Sequence, residues 1–159
     1  MNIEQKVNAI MRYIVADSQG EKDKIMEEIK AMLETVSNKK RSENIEDVIS
    51  EILVELGMPN NIMGYRYSIY AIKLAVENPD IIGSMTGALY PGVAEKFNTT
   101  ASRAERAIRH GIENTWDRAD LDIIEKYFGN TISIERGKPT GSEFISRISN
   151  IVRRRIHNG

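Results

Sequence analysis

The 159-residue chain contains no cysteine. Disulfide bridges, thiolate metal sites and cysteine nucleophiles are therefore excluded, and the composition suits a reducing compartment, so we expect a cytoplasmic protein. Its two histidines, His110 and His157, are 47 residues apart, which argues against a histidine metal site. No apolar run approaches the roughly 18 residues of a membrane span, and the N-terminus is unlike a signal peptide.

Motifs of enzyme active sites are also missing. The sequence has no phosphate loop, no nucleophile elbow and no histidine pair for a metal. Asp120 and Asp122 are close in sequence but lack a metal-binding loop or a general-base partner. We therefore expect a protein that is not an enzyme and that needs no metal or cofactor.

Neither sign of charge is in large excess, since the formal net charge is −1. The distribution is nevertheless uneven: residues 45–89 carry 2 basic and 6 acidic side chains, and residues 90–159 carry 12 basic and 9 acidic ones. An acidic block beside a basic block is typical of a DNA-binding domain with one face toward phosphate, although chance explains the charges equally well. Nucleic-acid binding would have to come from a local patch.

Apolar residues recur at helical spacing along nearly the whole chain. Residues 1–37 contain two such stripes with a polar break between them, which predicts a helical hairpin. Residues 37–44 are polar and charged and are interpreted as a linker, after which Asn44 would cap a helix over 45–56. The alternation over 131–135 is too short to predict a sheet.

These patterns predict an all-α protein of two parts. A hairpin and linker over 1–44 would serve dimerisation, because its two small stripes cannot form a core alone. A helical domain with a helix-turn-helix would occupy 45–159, which is an ordinary domain size.

Residues 91–116 carry the functional signal. A short helix that begins at Pro91, a turn over 99–101 and a second helix over 102–116 are typical of a helix-turn-helix. Ser102 and Glu105 are predicted to form a capping box. At roughly 100° per residue the second helix has one small, apolar face. That face consists of Ala101, Ala104, Ile108, Gly111, Ile112 and Thr115.

The opposite face of this helix has the chemistry that reads bases. Arginine can donate two hydrogen bonds to guanine and glutamate can accept one from cytosine, which favours Glu105 and Arg106 as base contacts. Arg109 and His110 lie one turn later, where they suit phosphate contacts. The face arithmetic alone fits a solvated amphipathic helix slightly better, with ion pairs such as Glu105–Arg109.

The segment FNTTASRAERAIRHGIE resembles the recognition motif of the sporulation master regulator, stage-zero sporulation protein A. Further similar blocks are GYRYSIYAI, LYPGVAEKFNTT and GKPTGSEFI, so the resemblance covers roughly residues 45–156. It implies a six-helix effector domain that binds short DNA boxes with a GTCGA-like core. It also implies a surface for the RNA polymerase sigma subunit over 117–128.

The resemblance assigns roles to six side chains of the second helix. It implies that Ser102, Arg103, Glu105 and Arg106 face bases and that Arg109 and His110 face the DNA backbone. Two departures from the family stand out. Only 44 residues precede the effector part, too few for the family's receiver domain, so we expect no phosphorylation control. Gly111 replaces an alanine of the family, and glycine within a helix costs about 1 kcal/mol.

Two functions are compatible with this sequence. The first is a sequence-specific DNA-binding transcriptional regulator that forms a homodimer through the hairpin. The alternative is a protein-binding inhibitor, or a competitor of a host sporulation regulator, that acts through the hairpin. The base-reading residues argue against this alternative. Near the C-terminus, Arg153, Arg154 and Arg155 either contact phosphate or form a solvated helix end.

Overall fold

The computed structural model describes residues 3–129 and 137–158, and the regular elements within those residues are all helical. The predicted all-α class is therefore confirmed, whereas the alternation over 131–135 lies outside the described residues. A 3-10 turn over Pro79–Ser84 and a π-helical turn over Met85–Leu89 separate α3 from α4. The helices are α1 (Ile3–Val15), α2 (Gln19–Glu55), α3 (Met63–Glu77), α4 (Tyr90–Lys96), α5 (Ala101–Arg118), α6 (Leu121–Phe128) and α7 (Gly141–Asn158).

The helix start predicted at residue 45, with Asn44 as its cap, is wrong, because α2 continues through residues 37–44 without a break. This segment contains no proline or glycine, and its lysines, arginine and glutamate are good helix formers. Lys39 and Glu43 are an i,i+4 pair whose charged atoms lie 4.0 Å apart. Polar residues on every side of a helix are typical of a solvent-exposed connection between domains. The same lack of an apolar face makes the segment resemble a loop in the sequence.

The chain divides into two compact units, Met1–Asn44 and Ile45–Gly159. In the first unit α1 and the start of α2 form the predicted hairpin. The Ser18 hydroxyl accepts a hydrogen bond from the Glu21 backbone N–H at 3.2 Å and so caps α2. Ala9, Ala16 and Ile25 are the buried apolar residues of this unit.

In the second unit α3 packs against both α5 and α7. Its buried face presents Ala71, Ile72 and Ala75 to them. An aromatic cluster closes the other side of the core: the Phe128 and Phe144 ring centroids lie 5.6 Å apart, and the Trp116 ring meets Phe128 edge-on at 4.9 Å. A capping box begins α7: the Glu143 N–H donates to the Thr140 hydroxyl at 3.2 Å, and the Thr140 N–H donates to the Glu143 carboxylate at 3.4 Å.

Two of the three C-terminal arginines are used within the fold. The Arg153 guanidinium donates to the Ala75 carbonyl at 2.9 Å. Arg155 donates to the Tyr127 hydroxyl at 3.2 Å and lies over its ring. Tyr127 in turn donates to Glu55, whose pKa is lowered first by a hydrogen bond from Lys126 and then by that from Tyr127. These contacts join α2, α6 and α7, so a structural role explains Arg153 and Arg155.

Candidate nucleic-acid interface

α4, the turn over 97–100 and α5 form a helix-turn-helix. Pro91 lies in the first turn of α4, where a missing N–H costs no hydrogen bond. Asn98 has a φ of 50°, a left-handed conformation that asparagine tolerates better than most residues. The Thr100 hydroxyl then accepts a hydrogen bond from the Arg103 N–H at 3.2 Å and begins α5.

The capping box predicted at Ser102 and Glu105 is therefore wrong. α5 begins at Ala101, its N-cap is Thr100, and both predicted capping residues lie inside the helix. The consequence is favourable for recognition, because the Ser102 side chain is exposed at the start of α5 rather than engaged by the backbone.

The apolar face of α5 is buried as the periodicity predicted. Ala104, Ile108 and Ile112 are buried, and the buried Thr115 hydroxyl donates to the Gly111 carbonyl at 2.8 Å. Ala101 is half-buried. This face fixes α5 on α3 and α4 and leaves the opposite face outward.

A close approach of two backbones positions α5. A Cβ atom built on Gly64 of α3 would lie 2.2 Å from the Ala107 carbonyl oxygen, so only glycine fits there. On the other side, a Cβ on Gly111 would meet Gly64 and the Met58 sulfur at 3.5 Å, an ordinary contact. Gly64 therefore sets the spacing of α3 and α5, whereas Gly111 has room for a methyl group.

The six residues predicted to contact DNA share the outer face of α5. Glu105 is half-buried and the others are exposed. They occupy successive turns of one helix, so the structure brings them together on a single surface. These residues are Ser102, Arg103, Glu105, Arg106, Arg109 and His110.

The polar contacts of this face are local. Arg109 lies 3.4 Å from the Glu105 carboxylate in an exposed i,i+4 pair, and the Asn114 amide contacts the His110 ring at 3.0 Å. Such an exposed pair contributes only about 0–1 kcal/mol, so phosphate can replace it at small cost. Arg103 and Arg106 make no side-chain hydrogen bond or ion pair with any residue that the structure describes. Their guanidinium groups are thus not engaged by those residues.

Three residues near the interface were missed by the sequence prediction. Arg66 of α3 stacks on Phe97, the first residue of the turn between α4 and α5. Lys96, the residue before Phe97, lies over the ring of Tyr70. The charges of Arg66 and Lys96 were visible in the sequence, but their proximity depends on how α3 crosses α4.

Within the described residues, no group of three or more acidic or histidine side chains could hold a metal ion. None of the described helices combines the length and hydropathy that a membrane crossing requires.

The fold and this surface together define a helix-turn-helix DNA-binding domain. The family model described as "Sporulation initiation factor Spo0A C terminal" matches residues 48–152, about two thirds of the chain. The chain therefore belongs to this family of DNA-binding, transcription-regulating sporulation domains, and the resemblance inferred from the α5 motif is confirmed.

Proposed function

We propose that the protein is a sequence-specific transcriptional regulator that reads short GTCGA-like DNA boxes with α5. The observation that carries this proposal is the outer face of α5, where Arg103 and Arg106 are exposed and make no polar side-chain contact with described residues. A helix that projects such a face from a buried, small-residue face fits the major groove. Family membership supports DNA binding, and the α5 motif supports the particular box.

Within this proposal the outer face divides into two kinds of contact. Ser102, Arg103, Glu105 and Arg106 lie in the first half of α5 and would contact base edges, because the N-terminal residues of a recognition helix enter the groove most deeply. Arg109 and His110 lie farther along and would contact the phosphate backbone. The exposed Glu105–Arg109 pair would then exchange partners on binding.

Arg106→Ala should lower affinity for box DNA by about 1–3 kcal/mol and relax the preference at one base pair. Arg109→Ala should instead weaken binding to every sequence alike and reduce the slope of log affinity against log salt by about one. Fluorescence anisotropy on matched and scrambled duplexes, at several salt concentrations, measures both effects.

The matched control is Arg41→Ala, which removes one exposed positive charge from α2. It corrects for the general effect of net charge on binding. An Arg106 variant that loses equal affinity for matched and scrambled duplexes would contradict a base contact. An Arg109 variant with the same salt slope as the Arg41 variant would contradict a phosphate contact.

We propose further that DNA binding by this chain is independent of aspartyl phosphorylation. The described residues of the first unit form two helices, not the doubly wound sheet of a receiver domain. Beryllofluoride with Mg²⁺, or acetyl phosphate, is therefore expected to leave both box affinity and the circular-dichroism spectrum unchanged. A rise in affinity on adding either reagent would contradict this proposal. Membership of a DNA-binding regulatory family supports a binding role rather than a catalytic one.

Two protein partners complete the proposal. The first is the sigma subunit of RNA polymerase, for which α6 offers Leu121, 79% exposed, beside the exposed acids Asp120, Asp122 and Glu125. An exposed apolar side chain with acids before and after it in the sequence suits a basic protein surface. The second is another copy of the chain, joined through the first unit.

A further inference from the structure

A cleft of about 280 Å³ lies beside the turn of the helix-turn-helix. Phe97 and Lys96 form one wall, and Arg66 and Tyr70 of α3 form another. Because Phe97 stands only three residues before the N-cap of α5, the cleft is close to the end of α5 that would enter the groove. We call it the flank cleft. Its lining residues are Glu46, Arg66, Ile69, Tyr70, Lys96 and Phe97.

The flank cleft holds two exposed cations on aromatic rings. The Arg66 guanidinium carbon lies 5.4 Å from the Phe97 ring centroid, and the Lys96 amine lies 5.7 Å from the Tyr70 centroid. Neither cation makes a side-chain hydrogen bond or ion pair with the residues that the structure describes. The rings limit the motion of both side chains, which lowers the entropy lost when an anion binds.

The negative charge in the flank cleft is already engaged. The Glu46 carboxylate accepts a hydrogen bond from Lys73 at 2.7 Å, and the Lys73 side chain is largely buried. Glu46 is therefore not required to neutralise Arg66 or Lys96. The two cations remain for a ligand from solution, and a planar guanidinium beside an amine suits a phosphate group.

We propose that Arg66 and Lys96 bind a phosphate of the DNA backbone just outside the box that α5 reads. This inference rests on the proposed function and adds a flanking contact to it. Phosphates line both edges of the major groove, so a cation beside the start of a recognition helix meets the backbone rather than the bases. The contact adds affinity and fixes the register of α5, and it carries no sequence preference.

The test compares two duplexes that contain the same box. One extends several base pairs beyond the box on both sides, and the other ends at the box. Arg66→Ala and Lys96→Ala should each lower affinity for the extended duplex by about fivefold and reduce its salt slope by about 0.9, the effect of one lost phosphate contact. Both variants should bind the trimmed duplex as the unchanged protein does.

Three further variants make the result specific. Arg66→Lys keeps the charge and should retain most of the salt slope, whereas Arg41→Ala removes a charge from the first unit and should change neither duplex. Arg109→Ala should weaken both duplexes, which tests the proposed function separately. Arg66 and Lys96 variants that match the Arg41 control would overturn the flank contact even if Arg109 behaves as proposed. Equal losses on both duplexes would also overturn it.

A free phosphate-bearing ligand offers the same chemistry as the DNA backbone. Inorganic pyrophosphate, titrated by calorimetry into the protein without DNA, distinguishes the two sources. Weak binding that is unchanged in Arg66→Ala supports the DNA contact. Tight binding that disappears in Arg66→Ala would assign the flank cleft to a soluble ligand and overturn the proposal.

Discussion

Gly64→Ala is expected to lower the free energy of unfolding by about 3 kcal/mol. The new methyl group would lie 2.2 Å from the Ala107 carbonyl oxygen and 3.1 Å from its carbon. These are backbone atoms of α5, so the clash is relieved only if α3 and α5 move apart, and overpacking of this kind costs about 1–3 kcal/mol or more. The gain of about 1 kcal/mol from alanine's helix propensity is too small to offset it.

Gly111→Ala, across the same contact, should have the opposite sign. Its methyl group would lie 3.5 Å from the Met58 sulfur and 3.5 Å from the Gly64 carbonyl carbon, which are ordinary packing distances. The free energy of unfolding should therefore rise by up to about 1 kcal/mol. Because Gly111 is buried on the inner face of α5, box affinity should be kept or slightly raised.

Urea denaturation followed by circular dichroism measures both variants. Gly83→Ala is the control, since nothing lies within 4 Å of a Cβ at Gly83 in its 3-10 turn. A Gly64 variant as stable as this control would show that the backbones of α3 and α5 are not in contact. A destabilised Gly111 variant would show that the glycine is required for packing there.

The buried face of α5 was predictable from the sequence because it follows from helical period alone. Ala104, Ile108 and Ile112 recur at that spacing, and each is buried. The contact of Gly64 with Ala107 was not predictable in the same way. It joins residues 43 positions apart, and it exists only because α3 crosses α5 at this point.

Local polarity misled the prediction in a different way. Residues 37–44 lack an apolar stripe, and a polar stretch without one is typical of a loop. The helix persists because its neighbours on both sides are helical and none of its own residues breaks it. The outer face of α5 illustrates a further limit. Its exposure is visible in the structure, whereas the proposed base contacts rest on the resemblance of the α5 motif.

Ile10→Glu combined with Ile14→Glu is expected to convert a dimeric protein to a monomer. At roughly 100° per residue, Ile3, Val7, Ile10 and Ile14 form one stripe of α1. Ala9, which is buried in the hairpin, points about 130° away from that stripe. Ala9 therefore packs within the hairpin, whereas the four large residues of the stripe remain between 48% and 79% exposed.

The side chains of this stripe are large and exposed. Ile3 is 79% exposed and Ile14 is 66% exposed, and on α2 Leu33 is 60% exposed. Of the large hydrophobic residues that are exposed in the described part of the chain, most belong to this first unit. Contiguous apolar surface of this kind marks an interaction site. The spacing of four, three and four residues along the stripe is that of a helix that packs against another helix.

A second copy is the occupant that the proposed function favours. One recognition helix reads few base pairs, whereas two tethered ones raise the effective concentration at the second box to about the millimolar range. The double variant should therefore bind a one-box duplex normally and lose most of its advantage on a two-box duplex. The charges introduced at Ile10 and Ile14 cannot be buried unpaired in a helix–helix interface without a large cost.

Multi-angle light scattering at tens of micromolar, with anisotropy on one-box and two-box duplexes, measures both expectations. Asn8→Glu is the control, because it places one charge on α1 at an exposed position outside the stripe and should leave the dimer intact. The contrary result is an unchanged protein that is already monomeric, with equal two-box affinity in both variants. The stripe of α1 would then serve the chain's own second unit or another protein, and a single α5 would read each box alone.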